Sequence, residues 1–294
     1  MAQPQAQTQS SRLPGPRPTR HRRKMASHLL VHLLLLTAVF VVAAPLLIAF
    51  IFSTQTPAQI FSYPPKFTIG SALVDNYKTA WYEYNLGMYM KNSFIIAIAV
   101  TVGKTIVSFM AALALVYFRF PLKGAIFTFI LLTLMMPTEI MIVALFELVT
   151  KLGWSNSYAA LIVPFLASAT GTFLFRQQFL QIPTSLVDAA KIDGAGPLRF
   201  AWSILLPMSF NVIAAMAVIQ FVYMWNQYLW PLIVIRDNTR QVVQVGLKGL
   251  TSGQDATNWG IVMAGTIIAL LPAMIVFLLL QEQFSRGFAM SEEK

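Results

Sequence analysis

Few side chains in this sequence could do chemistry, and their types narrow what that chemistry could be. The 294 residues contain no cysteine and three histidines, at positions 21, 28 and 32. Disulfides, thiolate metal sites and thiol nucleophiles are excluded, and no histidine lies downstream for a metal centre or a triad. Within the apolar runs, the ionisable residues that stand out are Lys104, Glu139 and Glu147. A charge in hydrocarbon is costly, so each is a candidate functional residue. Glu139 follows shortly after Pro137, whose missing N–H lets a backbone carbonyl face a cavity. In one reading Lys104 attracts an anionic solute and Glu139 sets its charge. In the other, Lys104 pairs with a carboxylate to hold helices together, or snorkels to the interface.

A second polar cluster occupies a late apolar run: Gln220, Tyr223, Asn226, Gln227, Tyr228 and Trp230. At helical spacing 220, 223 and 227 share a face, as do 226 and 230. Aromatic faces beside amide donors suit a polyol or sugar, and Pro231 could unwind the helix locally. The alternative assigns Tyr228 and Trp230 to an interfacial aromatic belt and the amides to interhelical hydrogen bonds.

The elements that must position these residues follow from composition. The chain is 57% hydrophobic with a mean hydropathy of +0.65, and only 11% of residues are charged. Soluble domains carry about 25% charged residues. A soluble fold of this size could not bury so much apolar surface, so the expected class is an all-α polytopic membrane protein. Six runs approach the ~20 residues that cross a bilayer: 29–52, 92–117, 125–149, 158–175, 208–235 and 259–281. The first is too long for the core of a cleaved signal peptide and reads as a retained span. Before it, residues 1–28 hold four prolines, many Gln and Ser, and the basic run Arg20-His21-Arg22-Arg23-Lys24, which predicts a disordered cytoplasmic tail. Residues 29–282 form the membrane domain, and 283–294 a short C-terminal tail. The net charge of +10 reflects orientation rather than nucleic-acid binding, since six basic residues lie in the first 24 positions. With both termini inside, 13 Lys/Arg fall in inner segments, 7 in outer ones, and Lys104 within a span. Arg119 and Arg176 read as interface anchors, and Gly103 with Ala111-Ala112 as close helix packing.

The inner segment 176–207 is the most patterned. Around residues 182–207 it reads as helix, turn, helix: Ser185 as cap with Asp188 three residues on, Gly194 as a positive-φ stop, Gly196-Pro197 opening a second helix, and Pro207 ending it. Leu186, Ala189, Ala190, Phe200 and Ile204 give each short helix an apolar side. Helices this short are unstable alone, so the pair should dock on something.

Here the pattern becomes a resemblance. Asp188-Ala189-Ala190-x-x-Asp193-Gly194-Ala195, followed by Ile204-x-Leu206-Pro207, resembles the EAA loop of ABC-importer permeases, with Asp188 where that family usually has Glu. The resemblance implies a type I ABC importer fold in which this loop forms the coupling helices, with Asp188, Ala189, Ala190, Asp193 and Gly194 docking into a groove of an ATPase subunit. Asn76-Tyr77, Asn92-Ser93, Arg119-Phe120-Pro121 and Trp225-Asn226-x-x-x-Trp230-Pro231 are similar to the carbohydrate-importer permeases of the maltose-type second class. Val102-Gly103-Lys104, Ala167-Ser168-Ala169-Thr170 and Thr172-Phe173-Leu174-Phe175-Arg176-Gln177 bring the sequence nearer to sn-glycerol-3-phosphate importer permeases. The resemblance implies a heterodimer with a second permease, two ATPase subunits carrying ATP and Mg, and an extracytoplasmic solute-binding protein, all in a bacterial inner membrane. The solute would be sn-glycerol-3-phosphate or a glycerophosphodiester, with a di- or oligosaccharide as alternative.

The sequence has no G-x-x-x-x-G-K-[ST] pattern, so no ATPase activity and no cofactor are expected of this chain itself. An intramembrane enzyme would have to work with Lys104, Glu139 and Glu147 alone. An ion-coupled secondary transporter typically shows duplicated halves, and no duplication is visible. Among the polar residues, Lys104, Glu139, Tyr223, Asn226 and Gln227 are the candidate solute pathway.

Overall fold

The computed structural model describes residues 20–137, 140–251 and 258–289, with side chains from residue 28 to 282. Among them the chain is helical and contains no strand. It divides at Ile48 into two units. The first contains most of helix α1 (Arg20–Ser53). That helix starts nine residues earlier than the composition of the tail implied. From Arg20 onward no glycine or proline interrupts a run of good helix formers until Pro45, so the basic stretch continues the apolar helix rather than forming irregular chain. Its segment His28–Ser53 is long and apolar enough to cross a membrane.

The second unit, from Ala49, holds the bundle. Helix α2 (Leu86–Tyr117) is uninterrupted for 32 residues and is the central pillar. It is followed by α3 (Lys123–Thr133), α4 (Ile142–Lys151), α5 (Tyr158–Ile162), α6 (Ala169–Leu180), α7 (Thr184–Ile192), α8 (Pro197–Phe200), α9 (Phe210–Trp225), α10 (Leu229–Val234), α11 (Val243–Leu250) and α12 (Trp259–Ala289). Helix α2 packs along α6 and α9, and α9 along α12. Where α2 meets the segment before α6, Gly103 leaves room for Leu166: a Cβ there would sit 2.5 Å from Leu166 Cδ2. Ala112 is fully buried on the same helix, as the small-residue reading anticipated.

Three segments differ from simple spans. The expected span at 125–149 is split into α3 and α4, each too short to cross alone; Pro137, lacking a donor, lies between them. The expected span at 158–175 is a bent pair, Tyr158–Phe165 and Ala169–Leu180, at 41°. The fifth is a second bent pair, Pro197–Met208 and Phe210–Trp225, at 74°. Among the described residues three helices are thus long and apolar enough to span unbroken, and up to five if each bent pair counts as one. The last helix runs on to Ala289, past the expected boundary at 281, because no proline follows Pro272.

Two buried clusters hold the second unit. One, near the N-terminal half of α2, gathers Leu86, Val100, Leu161, Phe221, Trp225 and Trp230. The other gathers Phe109, Phe175, Phe179, Phe200, Leu205 and Met216. In the latter, Phe109 meets Phe175 and Phe179 edge-on at 5.6 and 5.2 Å, and Tyr117 meets Phe200 at 5.2 Å.

Asn92 ties the N-terminal half of α2 to segments distant in sequence. Its amide donates to the carbonyls of Thr239 and Gln241, each at 2.9 Å, and its Oδ1 accepts from the Tyr158 hydroxyl at 2.8 Å. The adjacent Ser93 Oγ accepts from the Val243 amide at 2.8 Å. Asn76 acts in the same way on the carbonyls of Ser53 and Gln55. Asn92→Ala would strand three partners, and each buried group left unpaired costs about 1–3 kcal/mol. The expected result is a clear fall in the thermal unfolding midpoint of the purified protein, and an unchanged midpoint would show that the node carries no stability.

Candidate functional site

A cavity of about 620 Å³ lies in the second unit where α2, α4, the α5–α6 break and α9 converge. Each break in a helix contributes to its wall. Pro164 and the 3₁₀ turn Val163–Phe165 end the first half of the bent pair, and Ser168 opens α6, its Oγ accepting from the Gly171 amide at 3.1 Å. On the other side, α9 stops at Trp225 and α10 begins at Leu229. Pro231 cannot donate to the carbonyl of Gln227 four residues back, and its ring crowds that carbonyl. The unwinding anticipated from Pro231 is present, at residues 226–228.

Lys104 faces this cavity from α2 and is only 8% exposed. Its Nζ donates to Gln220 Oε1 at 2.8 Å and lies 5.4 Å from the centre of the Tyr223 ring. It has no carboxylate partner among the described residues. Glu147 is turned elsewhere: its carboxylate takes the ammonium of Lys151 at 2.6 Å on an exposed face, an ordinary i,i+4 pair. A Lys104–Glu147 pair is therefore ruled out. Glu139 lies outside the described residues.

Tyr223 and Gln227 line the cavity with Lys104 and Gln220; Gln220 and Tyr223 do so from one face of α9, and Gln227 from the unwound segment that follows it. Asn226 does not. Its amide donates back to the Val222 carbonyl at 2.9 Å and its Oδ1 accepts from Gln244 Nε2 at 3.3 Å, so it closes the end of α9 rather than facing the wall. Trp230 is 4% exposed and its indole donates to the Ala160 carbonyl at 3.0 Å, so it belongs to the core and not to an exposed belt. Tyr228, by contrast, is exposed. Ser168, Thr170 and Phe165 join the wall without having been singled out as pathway residues. Their only signal was the motif Ala167-Ser168-Ala169-Thr170 after a proline, which marks a helix start but not what that start faces.

A second candidate site is the elbow between α7 and α8. Helix α7 begins at Thr184 after Pro183, and no side chain caps it, so Ser185 lies inside the first turn and the expected Ser185–Asp188 cap is absent. Asp188 instead accepts from Lys191 Nζ at 3.1 Å with both side chains largely exposed. Gly194 does provide the stop, at φ +70°, and the Ala195 amide reaches back to the Ala190 carbonyl at 2.9 Å. Gly196 and Pro197 open α8 as expected. Ala190 and Phe200 are buried against Phe179 and Leu205, whereas Ile192 is 86% exposed and Leu198 and Trp202 are each 64% exposed. The elbow is thus seated on the bundle by one face and presents apolar side chains on the other.

A helical membrane protein with a mostly apolar cavity that carries a few polar side chains, and with an uncovered elbow, has the parts of a transport component. The chain belongs to the family of binding-protein-dependent transport system inner membrane components, whose model matches residues 104–289. It is an inner-membrane permease subunit of a binding-protein-dependent ABC importer. Over 279 residues it is 42% identical to the sn-glycerol-3-phosphate transport system permease protein UgpE of Brucella abortus (strain 2308), covering 92% of this chain and 99% of that protein. In fold it is similar to a bacterial ABC transporter involved in the import of the acidic polysaccharide alginate, with a TM-score of 0.79 at 20% identity over 92% of this chain and 99% of that one. A related alginate transporter, solved with a periplasmic protein bound to an alginate pentasaccharide, aligns over 91% of this chain and 98% of that one with a TM-score of 0.60 at 14% identity.

If the cavity lies on the solute path, filling it should block flow without disturbing the core. Ala144 lines the cavity and is itself exposed. Ala144→Trp is expected to cut ATP-driven uptake by the full importer about tenfold or more, since pockets depend on their free volume. Uptake at the unsubstituted rate would remove the cavity from the path.

Proposed function

We propose that this chain forms half of the solute pathway for a small phosphorylated polyol, sn-glycerol-3-phosphate or a glycerophosphodiester, and couples it to a separate ATPase through the α7–α8 elbow. The substrate class rests on similarity to the UgpE permeases together with a buried, unneutralised lysine in the cavity. The coupling reading rests on the elbow. Asp188, Ala189, Ala190, Asp193 and Gly194 stand on a helix-turn-helix whose inner face joins the phenylalanine cluster and whose outer face is uncovered.

In this reading the outer face, with Ile192, Leu198 and Trp202, docks in a groove of one copy of an ATPase pair, which holds ATP and Mg. Closure of that pair pushes the elbow, and the push passes through Phe200 to Tyr117, and through Phe179 to Phe109, on α2, whose middle bears Lys104. The bundle then switches from inward-open to outward-open, where a loaded binding protein releases its solute. Both ATP and the binding protein must prefer the outward form, because a ligand shifts an equilibrium only by its differential affinity. A second permease completes the pathway as a heterodimer. The excess of Lys/Arg in the segments around the elbow and near both ends of the sequence supports a reading in which both termini face the cytoplasm. A disaccharide as solute would leave the lysine charge without a role.

The elbow offers a direct test. A Cβ at Gly194 would meet no atom within 4 Å, so substitution there acts through backbone conformation alone. Gly194→Val forces a branched residue into the left-handed region, at about 1–2 kcal/mol or more. The expected outcome is an ATPase that co-purifies poorly or hydrolyses ATP without uptake, while the helical content of the permease is retained. Normal coupled uptake by this variant would remove the elbow from the coupling path.

A further inference from the structure

We infer that the cavity contains an anion-binding subsite, built wholly within this chain, that receives the phosphate group of the imported solute on Lys104 and the N-terminus of α6. The inference rests on the phosphorylated-polyol reading above and assigns that reading a place and a set of donors.

Three observations converge on it. First, the Lys104 ammonium has three donors and only one hydrogen bond among the described residues, to the neutral amide oxygen of Gln220. The ammonium is 8% exposed and faces a neutral amide and an aromatic ring, with no carboxylate partner among the described residues. Such a site attracts an anion far more strongly than one in water. Second, α6 is a 12-residue half-helix whose start opens on the same cavity. Ser168 satisfies the amides of Gly171 and Thr172, which leaves those of Ala169 and Thr170 with no internal acceptor among the described residues. The N-terminal end of a helix carries about half a positive charge, and broken helices in transporters present it to anionic substrate groups. Third, the two donor sets are adjacent. Ser108, one turn after Lys104 on α2, donates to the Ser168 carbonyl at 3.5 Å. The lysine and the helix start are therefore neighbours on one wall, although they are far apart in sequence.

Phosphate fits this arrangement better than a neutral sugar hydroxyl. Its oxygens can take the two remaining lysine donors and the free amides together, and such charge-assisted bonds are roughly twice as strong as neutral ones. Monoester and diester share this chemistry and differ in charge.

The test uses the complete importer with its binding protein, in vesicles containing ATP. Uptake of sn-glycerol-3-phosphate and, separately, of a glycerophosphodiester and of maltose is followed at saturating loaded binding protein. Lys104→Met removes the charge. Gln220→Glu keeps the volume but places a carboxylate 2.8 Å from the ammonium, neutralising it from within. Both are expected to lower the maximal rate for the phosphate esters about tenfold or more, the worth of one lost charge-assisted bond. Lys104→Arg is expected to restore most of the rate, which a purely structural role for the lysine would not give. The relative rates of the monoester and the diester identify which form the subsite prefers. If Lys104→Met fails to assemble, Gln220→Glu decides alone, because it strengthens the lysine contact. Wild-type maximal rates in Gln220→Glu would overturn the subsite and leave the permease reading standing. Uptake of maltose but of neither phosphate ester by the unsubstituted importer would overturn the subsite and the substrate reading together.

Discussion

A bilayer offers no water to a broken hydrogen bond, and this constraint governs the architecture. Any backbone N–H or C=O freed in hydrocarbon must find a partner in the protein or face a cavity. The continuous helices α2 and α12 satisfy it by length. Helix ends satisfy it with side chains: Ser168 on an amide of α6, Asn226 on the last turn of α9, Lys123 on the carbonyls of Val116 and Phe118 at the end of α2. The breaks at Pro164 and before Pro231 are not scattered. They meet around one cavity, which is where irregular backbone can be tolerated.

The same arrangement separates two tasks along α2. Its N-terminal half is fastened by Asn92 and Ser93 to segments near residues 239–243. Its C-terminal half is packed through Phe109 and Tyr117 against α6 and the elbow. Lys104 lies between the two. A 32-residue helix packed at one end against the elbow and fastened at the other to the loops joins the two regions through one continuous element. At the elbow end Phe109 meets Phe179, and Tyr117 meets Phe200, edge-on, a geometry that aromatic rings favour.

Much of the candidate site was legible from residue types. The elbow could be read because Gly194, Pro197 and Pro207 have local consequences: a positive φ, a first-turn position and a stop do not depend on distant contacts. The Ser185 cap failed for the complementary reason. Pro183 takes the N-cap position, so that the helix starts two residues earlier and the hydroxyl falls inside the first turn. Lys104, Tyr223 and Gln227 were legible as polar groups in apolar runs, and helical spacing put Gln220 and Tyr223 on one face, whereas Gln227 reaches the cavity from beyond the helix end. Asn226 was misread because its short amide prefers to close its own helix end, a local bond that periodicity does not register. Glu147 was misread because Lys151, four residues on, is always within reach on a helix.

The sequence by itself determined the class: an apolar, cysteine-free chain with few charges must be a helical membrane protein, and its proline and glycine positions set where helices can stop. It also determined the shape of the elbow, whose geometry is local. Only the tertiary structure decided which breaks face one another and what surrounds Lys104. Partners such as Gln220, more than a hundred residues away, are chosen by helix packing, and packing is a property of shape and volume across the bundle rather than of any stretch of chain. The buried lysine is the clearest case. Its presence in an apolar run could be read from the sequence, but its amide and aromatic company, in place of a carboxylate, could not.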